Sequence, residues 1–297
     1  MSRILVSGLV NIETTVCVES FPIAYETCRF PFHGVNTTVS GVGYNIAKAL
    51  TTLGDDVRFC SLIGRDFAGD LVLRSLPRAE FVLRRLKRTA HSAILYDRDG
   101  RRQVNCDLKD IQEQVYPATQ FNRALRRCDL AALCNINFSR SHLARVRRAG
   151  IPIATDVHAI ARLDDEYNAD FMRAANILFL SDESLECPPE DWARRAQEKF
   201  GSDIIVIGLG AAGALLAVRR DGFFGRLPAA KPPKIVNTIG AGDALFSAFV
   251  HFFVKTGNAR DSLRKAMTFA AHKIGVAGAA DGFLSERALL RSCRHER

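Results

Sequence analysis

Short runs of apolar, often β-branched residues alternate with stretches of helical spacing along most of this 297-residue chain. Strands are predicted at Ile4–Val10, Val57–Ile63, Leu130–Asn135, Pro152–Thr155, Ile177–Leu180, Ile204–Gly208 and Gly213–Val218. Helices are predicted at Tyr44–Leu53, Ala68–Leu76, Gln120–Arg127, Ser141–Ala149, Pro189–Phe200 and Ala259–Gly275. The first is the clearest, with Ile46, Ala49, Leu50 and Leu53 on one face and Gly54 at its stop. Such alternation is the pattern of βαβ units, so an α/β fold is expected, with a doubly wound, mostly parallel sheet and helices on both faces.

Two segments break the rhythm. Residues 11–39, around Pro22 and Pro31, and 88–106, around Asp97-Arg98-Asp99-Gly100, read as hairpins rather than crossovers. Leaving a doubly wound sheet near its ligand-binding edge, they are expected to pair into a small β lid that excludes water from a site. With no repeat and no Pro/Gly/Ser linker, residues 1–297 read as one domain that carries this lid.

Residues Ala241–Val254 are apolar around nearly the whole circumference, broken only by Asp243, Ser247 and His251, and Gly257 ends the run. That is too short for a membrane span, which needs about 20 residues, so it reads as a helix in the centre of the protein. The N-terminal apolar stretch is too short for a secretory signal, since it reaches Asn11 and Glu13 almost at once. The eight cysteines show neither a CxxC pair nor zinc-ligand spacing, so reduced thiols and a cytoplasmic location are expected. The formal charge of +9 raises the question of nucleic acid. The arginines are scattered over Arg84–Arg88, Arg126-Arg127, Arg145–Arg148 and Arg219-Arg220, without interleaved aromatics, and read as solvated helix faces and loops. Neither a nucleic-acid nor a membrane partner is expected.

The central helix opens on Gly240-Ala241-Gly242-Asp243. Unobstructed backbone N–H groups and the positive end of the helix dipole make such a turn an anion site. Asp243 suits two roles there, a helix cap, or the acceptor of a proton from a hydroxyl attacking a phosphoryl group held by the turn. The dipole is expected to lower its pKa.

Val236–Phe246, with Asn237-Thr238-Ile239-Gly240-Ala241-Gly242-Asp243 at its heart, resembles the C-terminal signature of the PfkB, or ribokinase-like, carbohydrate kinases, usually Asp-Thr-Thr-Gly-Ala-Gly-Asp. Ser40-Gly41-Val42-Gly43-Tyr44-Asn45-Ile46-Ala47, Leu53-Gly54 and Ile63–Gly69 are similar to the N-terminal signature. Two signatures in the right order, about 200 residues apart on an α/β pattern, are far more specific than one glycine turn. The resemblance covers essentially the whole chain and implies a ribokinase-like fold and a kinase that uses ATP and Mg²⁺ to phosphorylate a hydroxyl of a sugar or nucleoside. It further implies Asp243 as base, Gly240, Ala241 and Gly242 as anion hole, and Asn11, Glu13, Gly41, Gly43, Asn45 and Asn135 as substrate contacts. Glu13 stands where the family has Asp. At Gly41 and Gly43 the missing side chains are expected to let substrate approach the backbone.

On the nucleotide side the resemblance implies Gly208, Gly210, Gly213 and Thr238, with Gly208 at a usual Thr position. The family's metal-organising Asn-x-x-Glu falls on Ser181-Asp182-Glu183-Ser184, which leaves Glu183, one position out of register, and Asp156 to act on Mg²⁺ through water. Asn237 replaces an Asp that in many relatives helps bind a monovalent cation, so dependence on K⁺ is in doubt. Gly41–Ala47, Cys134-Asn135-Ile136 and Asn237 are most similar to the pseudouridine kinase and nucleoside kinase branch. The family also implies a homodimer through exposed lid strands. The changes at Ser181, Ser184, Gly208 and Asn237 keep open a ligand-binding protein of this fold without turnover. His33 and His91, within the lid segments, are further residues that could meet substrate.

Overall fold

The computed structural model describes residues 1–76 and 80–295. In chain order the elements are β1 (Arg3–Ser7), β2 (Asn11–Cys17), β3 (Val35–Ser40), α1 (Val42–Leu53), β4 (Asp56–Gly64), α2 (Phe67–Ser75), β5 (Glu80–Leu86), β6 (His91–Tyr96) and β7 (Arg102–Asp107). They continue with α3 (Ala118–Leu125), β8 (Leu130–Leu133), α4 (Asn137–Arg140), α5 (Leu143–Arg148), β9 (Ile153–Ala159), α6 (Ala169–Ala174), β10 (Ile177–Ser181) and α7 (Pro189–Phe200). The last third contains β11 (Ile204–Gly208), β12 (Ala214–Val218), β13 (Phe224–Leu227), α8 (Ala241–Thr256), α9 (Ala259–Lys273) and α10 (Glu286–His295).

Nine strands form one sheet in the order β13-β12-β11-β10-β9-β8-β1-β4-β5. Pairing is parallel from β11 to β5, and β12 alone is reversed, pairing antiparallel with both β11 and β13. Alternate residues of each strand feed opposite faces. Ile4, Val6, Ala132, Ile204 and Val206 pack with α1, α8 and α9 on one side. Leu5, Ala131, Leu133, Ile205 and Ile207 pack with residues of α3, α5, α6 and α7 on the other. The α/β fold with a mostly parallel, doubly covered sheet therefore stands.

The predicted strands and helices are present, with ends displaced by a few residues, and five further elements of the main body appear, among them the one-turn helix α4. β5 and β13 lie at the two edges of the sheet, α6 is short, and α10 is a C-terminal helix. The arginine run at 84–88 is a correction. Arg84 and Arg85 stand on the edge strand β5, where Arg84 donates to the Val115 carbonyl (2.6 Å) and Arg85 to that of Gly64 (2.8 Å). Cys17, Cys28, Cys60, Cys106, Cys128, Cys134 and Cys187 are thiols. Among the described residues no helix is long and apolar enough to cross a membrane.

A second sheet, in the order β3-β2-β6-β7, stands apart from the first. Its two antiparallel pairs, β2 with β3 and β6 with β7, join through parallel pairing of β2 and β6. β2 begins four residues after β1 ends, so the second sheet is anchored where the central strand leaves the main one.

Candidate active site

α8 is the element that builds the site. Phe246, Ser247, Ala248, Phe249, Val250, His251 and Phe252 are all buried, which places the helix inside the protein. Gly240 caps it with φ 79°, a conformation that side chains resist, and a Cβ there would run into the Ala279 carbonyl. Gly242 is different, because nothing lies within 4 Å of where its Cβ would be, and its side of the turn is open. The Ala241 N–H is not a free donor, since it closes the turn on the Thr238 carbonyl at 3.2 Å. This corrects the expectation for Ala241. The N–H groups of Gly242 and Asp243 have no partner among the described residues and are left free at the start of α8.

Asp243 sits in the first turn of α8 and is buried. One carboxylate oxygen, Oδ2, accepts a 2.7 Å hydrogen bond from Asn45 Nδ2 on α1. The pKa expectation is overturned here. Burial pushes the Asp243 carboxyl up to about 6, and the neighbouring Asp156 and Glu13 charges add to that, while the bond from Asn45 and the His158 ring oppose it. Loss of hydration outweighs the helix dipole because the whole carboxylate lies in a water-poor interior.

From Asn45 the network runs to the lid. The Ser40 hydroxyl lies 3.0 Å from Glu13 Oε2 and 3.4 Å from Asn45 Oδ1, so its single proton goes mainly to Glu13. Asn11 donates from Nδ2 to the Ser92 hydroxyl at 2.5 Å. Two oxygens of this group, Asn11 Oδ1 and Glu13 Oε1, are buried without a protein partner. Burial raises the pKa of Glu13, against the Ser40 bond and the Lys273 charge.

Gly41 and Gly43 are also required by the protein's own packing. A Cβ at Gly41 would meet the Leu9 carbonyl oxygen at 2.7 Å, and one at Gly43 would meet Gly8 at 2.5 Å. Their missing side chains admit the protein's own backbone and press α1 against the exit of β1, which brings Asn45 to Asp243. The Asn135 amide nitrogen donates to Asn168 Oδ1 at 3.0 Å. Asp156 lies inside β9 rather than beyond it, because the strand continues through a bulge to Ala159. That bulge holds His158 at φ 58°, with its Nδ1 3.8 Å from Asp156 Oδ2 and its ring within electrostatic reach of Asp243. His33 and His91 are exposed, and the histidine facing Asp243 is His158.

On the nucleotide side, Gly208 ends β11 and a short 3₁₀ turn covers Gly210–Ala212. Gly213 packs against the backbone of Leu227 and Pro228, which excludes any side chain. Thr238 and Glu183 are bridged by Arg102 of β7, 3.4 Å from the Thr238 hydroxyl and 3.5 Å from Glu183 Oε1. Asn237 donates to the Ala277 carbonyl at 2.7 Å and accepts from the Ile239 N–H at 3.1 Å, tying the turn to the loop after α9.

Ser40, His158, Arg102 and Lys273 are residues of the site that were not singled out from the sequence. Lys273 is fully buried, its amino group has no hydrogen-bond partner, and burial pulls its pKa down to about 8 against the pull of Asp281, Asp243 and Glu13. It was findable, since it falls seven residues after the buried Ala266 on the inward face of α9.

The chain is similar in sequence to the ATP-dependent ribose-1-phosphate kinase of Halopiger xanaduensis, 27% identical over 302 residues that cover 97% of this chain and 99% of that protein. It is 25% identical to the guanosine-inosine kinase of Exiguobacterium acetylicum over 79% of this chain and 82% of that protein. In structure it is similar to a microbiome-derived acarbose kinase, with a TM-score of 0.88, 22% identity and 99% of both chains covered. The profile of the pfkB family carbohydrate kinases matches residues 1–286. The chain therefore belongs to the pfkB family of carbohydrate kinases, phosphotransferases that act on a hydroxyl group.

Proposed function

We propose that the protein transfers the γ-phosphoryl group of ATP to a hydroxyl of a sugar or nucleoside, with Asp243 as the base. The observation that carries this reading is the pairing at the start of α8. A buried carboxyl with its pKa raised to about 6 lies beside free backbone N–H groups on the open side of Gly242. A base with that pKa is ionised at neutral pH and still accepts a proton effectively. As the acceptor oxygen bonds to phosphorus, its proton passes to Asp243 and the bond to ADP breaks. The free N–H groups of Gly242 and Asp243 form the anion cradle and meet the charge on the transferring group.

The unpartnered oxygens Asn11 Oδ1 and Glu13 Oε1 favour an acceptor with several hydroxyls, because each hydroxyl donates to an oxygen that otherwise stays buried and unsatisfied. The kinases to which the chain is similar are named for ribose 1-phosphate, guanosine and inosine, and acarbose, all rich in hydroxyls. Gly41 and Gly43 act at this subsite by holding Asn45 in place. Gly208, Gly210, Gly213 and Thr238 line the nucleotide side.

Among the described residues no three His, Cys, Asp or Glu side chains converge into a metal cage. An exposed Glu183 and a mostly buried Asp156 offer hard oxygen donors, which fits a Mg²⁺ ion that keeps its waters and rides on phosphates. The two carboxylates are assigned to it through water. Such an ion neutralises charge on the phosphates.

β7 is exposed along its whole length and Val35 of β3 is half exposed, and uncovered strands of this kind favour a homodimer through the lid. The thiols fit a cytoplasmic enzyme. The test is ATP consumption with a panel of pentoses, pentose 1-phosphates, ribonucleosides including pseudouridine, and acarbose. Turnover with at least one is expected, and ligand binding without turnover on every member would replace the kinase with a binding protein.

A further inference from the structure

β7 is the outer strand of the lid and every one of its residues is exposed. Alternation along it puts Arg102, Val104 and Cys106 on one face, and Cys106 Sγ lies 3.4 Å from the hydroxyl of Ser92, which holds Asn11. Arg102 therefore shares the face of the lid that carries the acceptor residues. Its guanidinium leaves the lid and reaches the main body, with Nη1 3.4 Å from Thr238 Oγ1 and Nη2 3.5 Å from Glu183 Oε1. Thr238 lies two residues before Gly240, and Glu183 lies just after β10, so the cation bridges the segment that leads into the glycine turn and the loop after β10.

Neither contact is strong enough to account for the placement. Both are long, and the Glu183 side chain is 63% exposed, where an ion pair contributes little. Most N–H donors of the guanidinium are unused. A planar fork with spare donors, tied to Thr238 four residues before the free N–H of Gly242, is complementary to a phosphoryl group.

We infer that Arg102 is a catalytic residue that leaves Thr238 and Glu183 to grip the γ-phosphoryl group of the nucleotide, so that the lid delivers a cation to the transferring group. This inference rests on the kinase reading above and adds a participant to it. The guanidinium keeps its protons throughout, and it supplies charge and geometry on the side of the phosphoryl group opposite the cradle. Because β2 of the same sheet holds Asn11 and Glu13, an acceptor that settles the lid also settles Arg102.

The test compares Arg102→Gln and Arg102→Lys with the wild type, by turnover with an accepted substrate and by calorimetric binding of ATP, ADP and adenosine. The expected result is a fall in kcat of about 10²–10³ for R102Q and a smaller one for R102K. ATP affinity should drop about tenfold, ADP affinity less, and adenosine affinity not at all. Wild-type kcat in R102Q would overturn the assignment. So would an equal loss for adenosine and ATP, or a change confined to KM for the acceptor. Should R102Q fail to fold, R102K decides by the same comparison of ATP with adenosine. A wild-type chain that turns over with ATP keeps the kinase reading whatever the variants do, whereas one that ignores ATP overturns both.

Discussion

Asn45 donates a 2.7 Å hydrogen bond to the carboxylate of Asp243, 198 residues further along the chain. This single bond joins the two signature segments of the sequence. It orients the carboxyl, opposes the rise in its pKa, and connects it through Ser40 to Glu13 on the lid. Removing either partner changes both the chemistry and the stability of the site, in separable ways.

Asp243→Asn should lower kcat by at least about 10³, because the proton acceptor is lost while the shape of the turn stays. ATP should still bind within a few-fold of the wild type. Turnover assays and calorimetry on the same preparation check this, and a variant near the wild-type rate would exclude Asp243 as base.

The same substitution should stabilise the fold. With its pKa raised from 3.8 to about 6, Asp243 holds its proton more tightly in the folded chain than in the unfolded one. Ionising it therefore costs stability, with no cost below about pH 3.8 and the full cost above about pH 6. By linkage the full cost is on the order of 2–3 kcal/mol. Urea unfolding at pH 7.5 should show Asp243→Asn more stable than the wild type, with the gap closing as the pH falls through this window.

The acid limb of kcat/KM should report Asp243, with activity rising through about pH 6. Lys273 faces the same carboxylate as a buried ammonium, so Lys273→Met removes an opposing charge and should move that limb to higher pH by about half a unit or more. An unmoved limb in this variant would detach Lys273 from the site.

Gly240→Ala and Gly242→Ala should behave in opposite ways. At Gly240 the positive φ and the Ala279 carbonyl both oppose a side chain, and a loss of about 2–5 kcal/mol is expected. At Gly242, inside the helix and facing open space, folding should be unharmed or slightly favoured. KM for the nucleotide should rise, because the methyl group enters the cradle. Thermal unfolding and initial rates separate the two outcomes.

Rates in K⁺, Na⁺ and Cs⁺ salts should agree within about twofold. The neutral Asn237 already bonds the Ala277 carbonyl and the Ile239 N–H, so the turn is tied to the loop after α9 by a side-chain amide. A strong preference for K⁺ would show that a cation nonetheless completes the site.

Much of the fold was legible because it is written in local periodicity. Strands buried on both faces are continuous apolar runs, as at Ile204–Gly208, and the all-round apolar pattern of Ala241–Val254 could only belong to an interior helix. β5 was missed because Glu80–Leu86 carries two arginines on an edge strand, where one side is left to solvent. β13 was missed because Phe224–Leu227 is four residues long. The motif Gly240–Asp243 could likewise be picked out locally, since free N–H groups and a carboxylate in one turn need no distant partner to be recognised.

What the chain by itself determined was thus the α/β class, the glycine turn that opens the interior helix and the carboxylate beside it. Tertiary structure decided the rest, because those properties belong to pairs of residues far apart in sequence and to the loss of water around them. It turned Gly41 and Gly43 into packing surfaces and brought Asn45 to Asp243. It placed Lys273 and His158 within electrostatic reach of that carboxylate, and through burial it reversed the sign of the pKa shift that the helix dipole alone implied.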